Sequence, residues 1–137
     1  MKLFLKLFAT AFLSSLLFGI LFGIFIIIEN YYEISAYDNM VGGFTIGSLF
    51  SFPFYLTVGI LFSYLIFWIT SKVNPNKPYI FGLLMYSLLG LIVGVVLLPR
   101  GTFGILNILY FLGLGLLATN IFYHVLLLIN VVAKRKK

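Results

Sequence analysis

The sequence predicts an all-α polytopic membrane protein: an antiparallel bundle of four transmembrane helices with both termini cytoplasmic. Three observations carry that expectation. Of 137 residues, 63% are hydrophobic and 9% charged, with a mean hydropathy of +1.19, whereas a soluble domain carries about 25% charged residues. A soluble fold of this composition would have almost no polar side chains for its surface, and lipid removes that need. The polar interruptions leave four apolar runs, each near or above the roughly 20 residues that cross a hydrocarbon core of about 30 Å. The basic residues fall almost entirely on alternate sides of those runs.

The first run is Leu7 to Ile28, preceded by Lys2 and Lys6. Its apolar stretch is longer than the roughly 7 to 15 residues of a secretory signal, so a retained span is expected although Ile34, Ser35 and Ala36 faintly resemble a cleavage site. The second run is Phe44 to Ile69, the third Tyr79 to Leu98 and the fourth Gly104 to Val132. The turn Ser71 to Pro78 carries two prolines and two asparagines, and Pro99 to Thr102 is a tight Pro and Gly turn. Such short links make successive helices antiparallel. The whole of 1–137 is expected to be a single integral membrane domain, with no convincing internal repeat.

Orientation follows from Lys and Arg, which are retained on the cytoplasmic side of short loops. Lys2, Lys6, Lys72, Lys77, Lys134, Arg135, Lys136 and Lys137 fall on one side, and only Arg100 on the other. That distribution predicts a multi-pass protein of the cell membrane with N and C termini inside. The three acids, Glu29, Glu33 and Asp38, all fall in the first outer segment, Ile28 to Gly43, beside Tyr31, Tyr32 and Tyr37. Gly42 and Gly43 are expected to release the chain from that loop into the second span.

Lipid gives helices no hydrophobic reason to associate, so they pack through small residues and polar side chains. Ser15, Gly19 and Gly23 form a ridge on the first span, and Gly43, Gly47 and Ser51 begin one on the second that continues through Gly59 and Ser63. Gly82, Tyr86, Gly90 and Gly94 share a face of the third, while the fourth offers Gly104, Gly113 and Gly115. Pro53 removes a backbone donor inside the second span, and a kink is expected there. It is either a hinge or a static bend absorbed by packing.

The run from Ser48 to Lys72, SLFSFPFYLTVGILFSYLIFWITSK, resembles the matching segment of an uncharacterised family of small four-helix integral membrane proteins of Gram-positive bacteria. The resemblance rests on Pro53-Phe54-Tyr55, Gly59, Ser63 and the ending Ile69-Thr70-Ser71-Lys72, about a fifth of the chain. It implies a bacterial cytoplasmic membrane and the same four-span layout, and it carries no activity and no site.

Composition excludes several chemistries. With no cysteine there is no disulfide, thiolate metal site or thiol nucleophile. No Asp, Glu, Lys or Arg lies inside an apolar core, so the embedded carboxylate of a small cation-coupled exporter is missing. The Asn, Arg and paired-Phe pattern of fluoride channels is absent too, and one histidine cannot make a metalloprotease site. No catalytic residue, cofactor site or metal site is therefore expected, and the protein is expected not to be an enzyme.

His124 is the ionisable residue that falls within a span, and it shares a helical stripe with Asn120, Gly113 and Tyr110. This candidate polar intramembrane face has two readings: a proton relay or ligand contact, or a neutral imidazole bonded across helices to a Ser, Thr or Tyr. A Ser and His dyad lacks any Gly-x-Ser-x-Gly-like support. Asn107 and Asn130 suit span ends, and Trp68, Tyr31, Tyr32, Tyr79 and Tyr123 suit the interfacial belts. The tail AKRKK can meet anionic lipid, but without aromatic interleaving or a folded platform it predicts no nucleic-acid partner.

The outer segment with Glu29, Glu33 and Asp38 is the candidate external partner loop. A cation there would lack the DxDxDG spacing of a calcium loop. Two function classes remain. One is a small non-enzymatic membrane protein, accessory, regulatory or immunity-type, whose partners are the lipid bilayer and another membrane protein or further copies of itself. The other is an oligomeric channel or small-solute transporter, including a holin-like pore.

Overall fold

A computed structural model describes residues 2–29, 35–98 and 104–135 of the chain. Among these residues the secondary structure is helical throughout, without strands: α1 (Lys2–Glu29), α2 (Ala36–Phe54), a π segment (Tyr55–Gly59), α3 (Ile60–Val73), α4 (Pro78–Val96) and α5 (Ile105–Arg135). Four helical stretches are long and apolar enough to cross a membrane: Leu3–Ile28, Tyr37–Val73, Pro78–Val96 and Ile105–Ala133. The second comprises α2, the π segment and α3 together. Its 37 residues exceed the roughly 20 a bilayer core requires, which leaves length at the ends for polar residues.

That surplus corrects one expectation. The second helix begins at Ala36, ahead of the apolar run that starts at Phe44, so Gly42 and Gly43 lie inside it. Ser35 supplies the reason, because its hydroxyl accepts the Asp38 amide at 3.2 Å and satisfies a donor the first turn would otherwise orphan. Asp38 adds a negative charge in that same first turn, where the helix dipole favours it. Of the expected outer loop, Glu29 ends α1 and Asp38 stands on α2. Tyr31, Tyr32 and Glu33 lie outside the described residues, as does Arg100.

The turn after α3 follows its sequence more closely. Asn74 takes a positive φ of 44° and its amide reaches the Thr70 carbonyl at 2.9 Å. Asparagine tolerates this left-handed closing position. Pro75 then prevents continuation, and Pro78 opens α4, where its missing N–H costs nothing.

The chain divides into two compact units, Met1–Leu61 with Val125–Lys137, and Phe62–His124. In the first, α1 and α2 run antiparallel with their glycines against each other. A Cβ on Gly43 would lie 2.7 Å from the Gly23 Cα, and one on Gly47 would lie 3.0 Å from the Gly19 Cα. Further along, Phe52 packs edge-on to both Phe8 and Phe12, with ring centroids 6.2 Å apart in each pair. Leu7, Thr10, Ala11, Ser14 and Ser15 complete the buried face of α1. Thr10 donates to the Lys6 carbonyl at 2.7 Å and Ser15 to the Phe12 carbonyl at 2.7 Å. The Ser14 and Ser48 hydroxyls are buried without a hydrogen-bond partner.

The expected kink site takes a specific form. Two residues after Pro53 the helix widens into the π segment, and the Ile60 amide reaches back five residues to the Tyr55 carbonyl. Thr57 donates its hydroxyl to the Pro53 carbonyl at 2.8 Å, which satisfies an acceptor near the altered register. One inserted residue rotates the remainder of the helix by about 100°, since an α-helix has 3.6 residues per turn. Gly43, Gly47, Ser51, Gly59 and Ser63 are each buried, and the widened turn offsets the drift of about 40° per four residues that an unbroken α-helix imposes on that spacing.

In the second unit α4 and α5 are antiparallel and again meet through glycine. Cβ atoms built on Gly90 would strike the Thr119 hydroxyl and stand 2.7 Å from the Gly115 carbonyl oxygen, and on Gly94 2.7 Å from the Leu112 Cα. Of the fourth span's glycines only Gly115 lies in this contact. Gly113 has nothing within 4 Å of a Cβ position, and Gly104 has only Asn107 Nδ2 at 3.6 Å.

Candidate functional site

The polar residues of the second unit gather where the first half of α4 faces the C-terminal part of its α5 segment. Their placement starts from Gly82. A Cβ there would lie 2.5 Å from the Tyr123 hydroxyl and 2.8 Å from its ring, so the absence of a side chain lets the tyrosine lie flat against α4. Tyr79 and Tyr86 flank it, with centroids 5.9 and 4.9 Å from the Tyr123 ring, the second pair stacked. Phe122 also stacks on Tyr86, with centroids 6.2 Å apart. Tyr123 donates its hydroxyl to the Tyr79 carbonyl at 2.9 Å, which ties α5 to the first turn of α4.

His124 stands beside this stack. Its Nδ1 is 2.8 Å from the Asn120 carbonyl oxygen, and a carbonyl can only accept, so Nδ1 carries the proton. In the neutral imidazole Nε2 is then an acceptor, and it takes the Tyr79 hydroxyl proton at 3.2 Å. The ring is thus held in one tautomer between its own helix and α4. It is solvent- or lipid-accessible rather than enclosed.

Asn120 is held independently. Its Nδ2 donates to the Leu116 carbonyl at 2.8 Å and to Ser87 Oγ at 3.2 Å. Deeper in the unit Ser63 on α3 and Tyr86 on α4 share a hydrogen bond of 2.7 Å, and both residues are buried. Thr119 bonds its own helix at the Gly115 carbonyl, 3.0 Å away. Each of these bonds replaces water that the apolar surroundings do not supply.

The structure therefore brings together two of the three residues of the expected polar face. His124 and Asn120 both meet α4, whereas Tyr110 stands about 21 Å further along α5 at 1.5 Å per residue, with its ring edge-on to Phe111. Sequence reasoning missed Ser87 and the role of Tyr79, and it assigned Tyr123 to the interfacial belt where the structure buries it. The glycine face on α4 that includes Tyr86 was the available signal. Among the described residues no three His, Asp or Glu side chains come together as a metal site. Asp38 is exposed on its helix.

The fold and this cluster define a class: an all-helical chain with four helices fit to cross a membrane and a hydrogen-bonded aromatic seam between two of them. No family model, curated protein or solved structure matches it.

Proposed function

We propose that this is a small multi-pass protein of the cell membrane, with both termini cytoplasmic, that acts without catalysis by binding another membrane protein or further copies of itself. An accessory, regulatory or immunity-type role fits such a bundle. The observation that carries the reading is the state of the seam. His124, Asn120, Ser87, Tyr79 and Tyr123 are engaged with one another or with backbone carbonyls, and the Tyr123 ring fills the space over Gly82. Such an arrangement fastens helices to one another. Large apolar side chains such as Phe50, Leu61, Phe67, Leu106 and Leu128 are exposed, as lipid or a lateral partner requires.

Extraction in native nanodiscs after mild crosslinking tests it: a stoichiometric membrane-protein complex or a discrete homo-oligomer is expected, and a monodisperse monomer without a partner would overturn it. Because the chain has no cysteine, single cysteines placed at positions 2 and 136 report topology cleanly. Both should resist an impermeant thiol reagent added from outside.

The π segment favours a second reading, an oligomeric channel or small-solute transporter, including a holin-like pore. π turns in helices are frequent at functional sites, and this one begins two residues after a proline within a single span. Liposomes would then show solute flux that changes in Pro53→Ala and His124→Ala, and induced expression of a pore would be toxic.

A further inference from the structure

We propose that Lys6 and Asn130 form a binding site for the phosphate-bearing headgroup of an anionic phospholipid, an inference that rests on the membrane reading above. Lys6 Nζ donates to Asn130 Oδ1 at 3.3 Å, within the unit that holds both residues. An ammonium has three donors and an asparagine amide two. Among the described residues this is the one hydrogen bond of either side chain, so four N–H groups remain at the contact. Lys6 is only half-exposed. A partly buried ammonium is costly unless an anion or several acceptors face it.

Among the described residues no carboxylate is paired with the Lys6 ammonium. The chain's acids are Glu29, Glu33 and Asp38, and Glu29 lies 23 residues from Lys6 on the same helix, about 35 Å at 1.5 Å per residue. Lys2 precedes Lys6 by one helical turn and Lys134 follows Asn130 by one, each just beyond the apolar stretch of its helix. Lys6 and Asn130 themselves fall in the end turns of the stretches Leu3–Ile28 and Ile105–Ala133. That is the depth of lipid phosphates, the anions a membrane surface supplies. Lys6 provides a charge-assisted bond to one phosphodiester oxygen, and the Asn130 amide donates to a second oxygen or to the adjoining ester. Lys2 and the tail add a longer-range, salt-screened attraction.

The test uses the full chain in phosphatidylcholine nanodiscs doped with phosphatidylglycerol, reading retained lipid by native mass spectrometry and unfolding temperature as a function of lipid fraction. The wild type should retain phosphatidylglycerol preferentially and gain stability saturably. Lys6→Gln should weaken that saturable binding by about tenfold or more, as expected for loss of a charged hydrogen bond. Asn130→Asp supplies Lys6 with an internal counter-ion and should displace the lipid while keeping the helical content, so loss of binding is separated from loss of fold. Neutralising Lys134, Arg135, Lys136 and Lys137 together should reduce only the salt-sensitive part. Equal retention in wild type, Lys6→Gln and Asn130→Asp would overturn the site, and equal stabilisation by soluble glycerol phosphate would overturn its assignment to lipid. Release of the chain from membranes by alkaline carbonate would refute the membrane reading itself.

Discussion

Gly113 and Gly115 lie two residues apart on α5, and their substitution by alanine should have opposite consequences. A Cβ on Gly115 would strike the Gly90 carbonyl oxygen and lie 2.8 Å from the Gly94 amide nitrogen, while one on Gly113 meets nothing within 4 Å. All three contacts at Gly115 are backbone atoms of α4, so no side chain can swing aside. Restoring ordinary van der Waals spacing at about 3.4 Å requires the helices to separate by roughly 0.6 Å or more, a gap that forfeits a quarter or more of each contact along the seam. Overpacking of this kind costs about 1–3 kcal/mol. In equilibrium terms that is a loss of about fivefold to more than a hundredfold. Gly113→Ala should be neutral or stabilising by up to about 1 kcal/mol, because alanine is the better helix former. Steric-trap or denaturant unfolding in bicelles measures both. If Gly115→Ala proved as mild as Gly113→Ala, the close α4–α5 contact would be wrong.

The same logic applies to the first unit, where Gly43→Ala should destabilise by about 1–3 kcal/mol and Gly42→Ala should not, since only Gly43 faces Gly23; thermal unfolding of the pair decides it. Ser14→Ala removes a buried hydroxyl that has no partner and should leave stability unchanged or raise it by up to about 1 kcal/mol. Ser63→Ala and Tyr86→Phe should each cost about 1 kcal/mol, and a double-mutant cycle should return a coupling near that size because the two hydroxyls share one bond. His124→Ala should cost no more than about 1.5 kcal/mol in unfolding measurements, and Tyr79→Phe should recover most of that loss in the double variant by removing the orphaned hydroxyl.

Much of the fold was legible because its signals are local. A run of apolar residues long enough to cross lipid is visible in sequence, as are the turn residues Asn74, Pro75 and Pro78. The start of the second helix was not, because hydropathy marks where lipid begins and a helix ends where its backbone donors are satisfied. Ser35 and Asp38 provide a capping signal, but it sits among polar residues ahead of two glycines, which suggest a break when read without a partner. Gly43 remains helical because Gly23 packs against it, and that is information about another helix. The π segment shows the same limit. Proline marks the place where the hydrogen-bond ladder must change, while the local choice between a bend and an inserted residue depends on neighbours such as the Thr57 hydroxyl.

The candidate site divides along the same line. Asn120 and His124 are one turn apart, so their common face follows from helix geometry alone. Which residues answer them on α4 depends on register, and register is set by the pairs of glycines that meet. Once Gly90 is placed against Gly115, the antiparallel course carries Gly82 to Tyr123, and Tyr79 to His124, without further choice. The same register explains Tyr110. Gly94 lies against Phe111 and Leu112, so Tyr110 is level with the last turn of α4. It keeps the angular position its spacing predicts but stands at the opposite end of the seam from His124. A polar stripe on one helix thus becomes a joint site only over the length where the partner helix offers polar groups. On α4 those are Tyr79 and Ser87, both set by their distance from the glycines that fix the crossing.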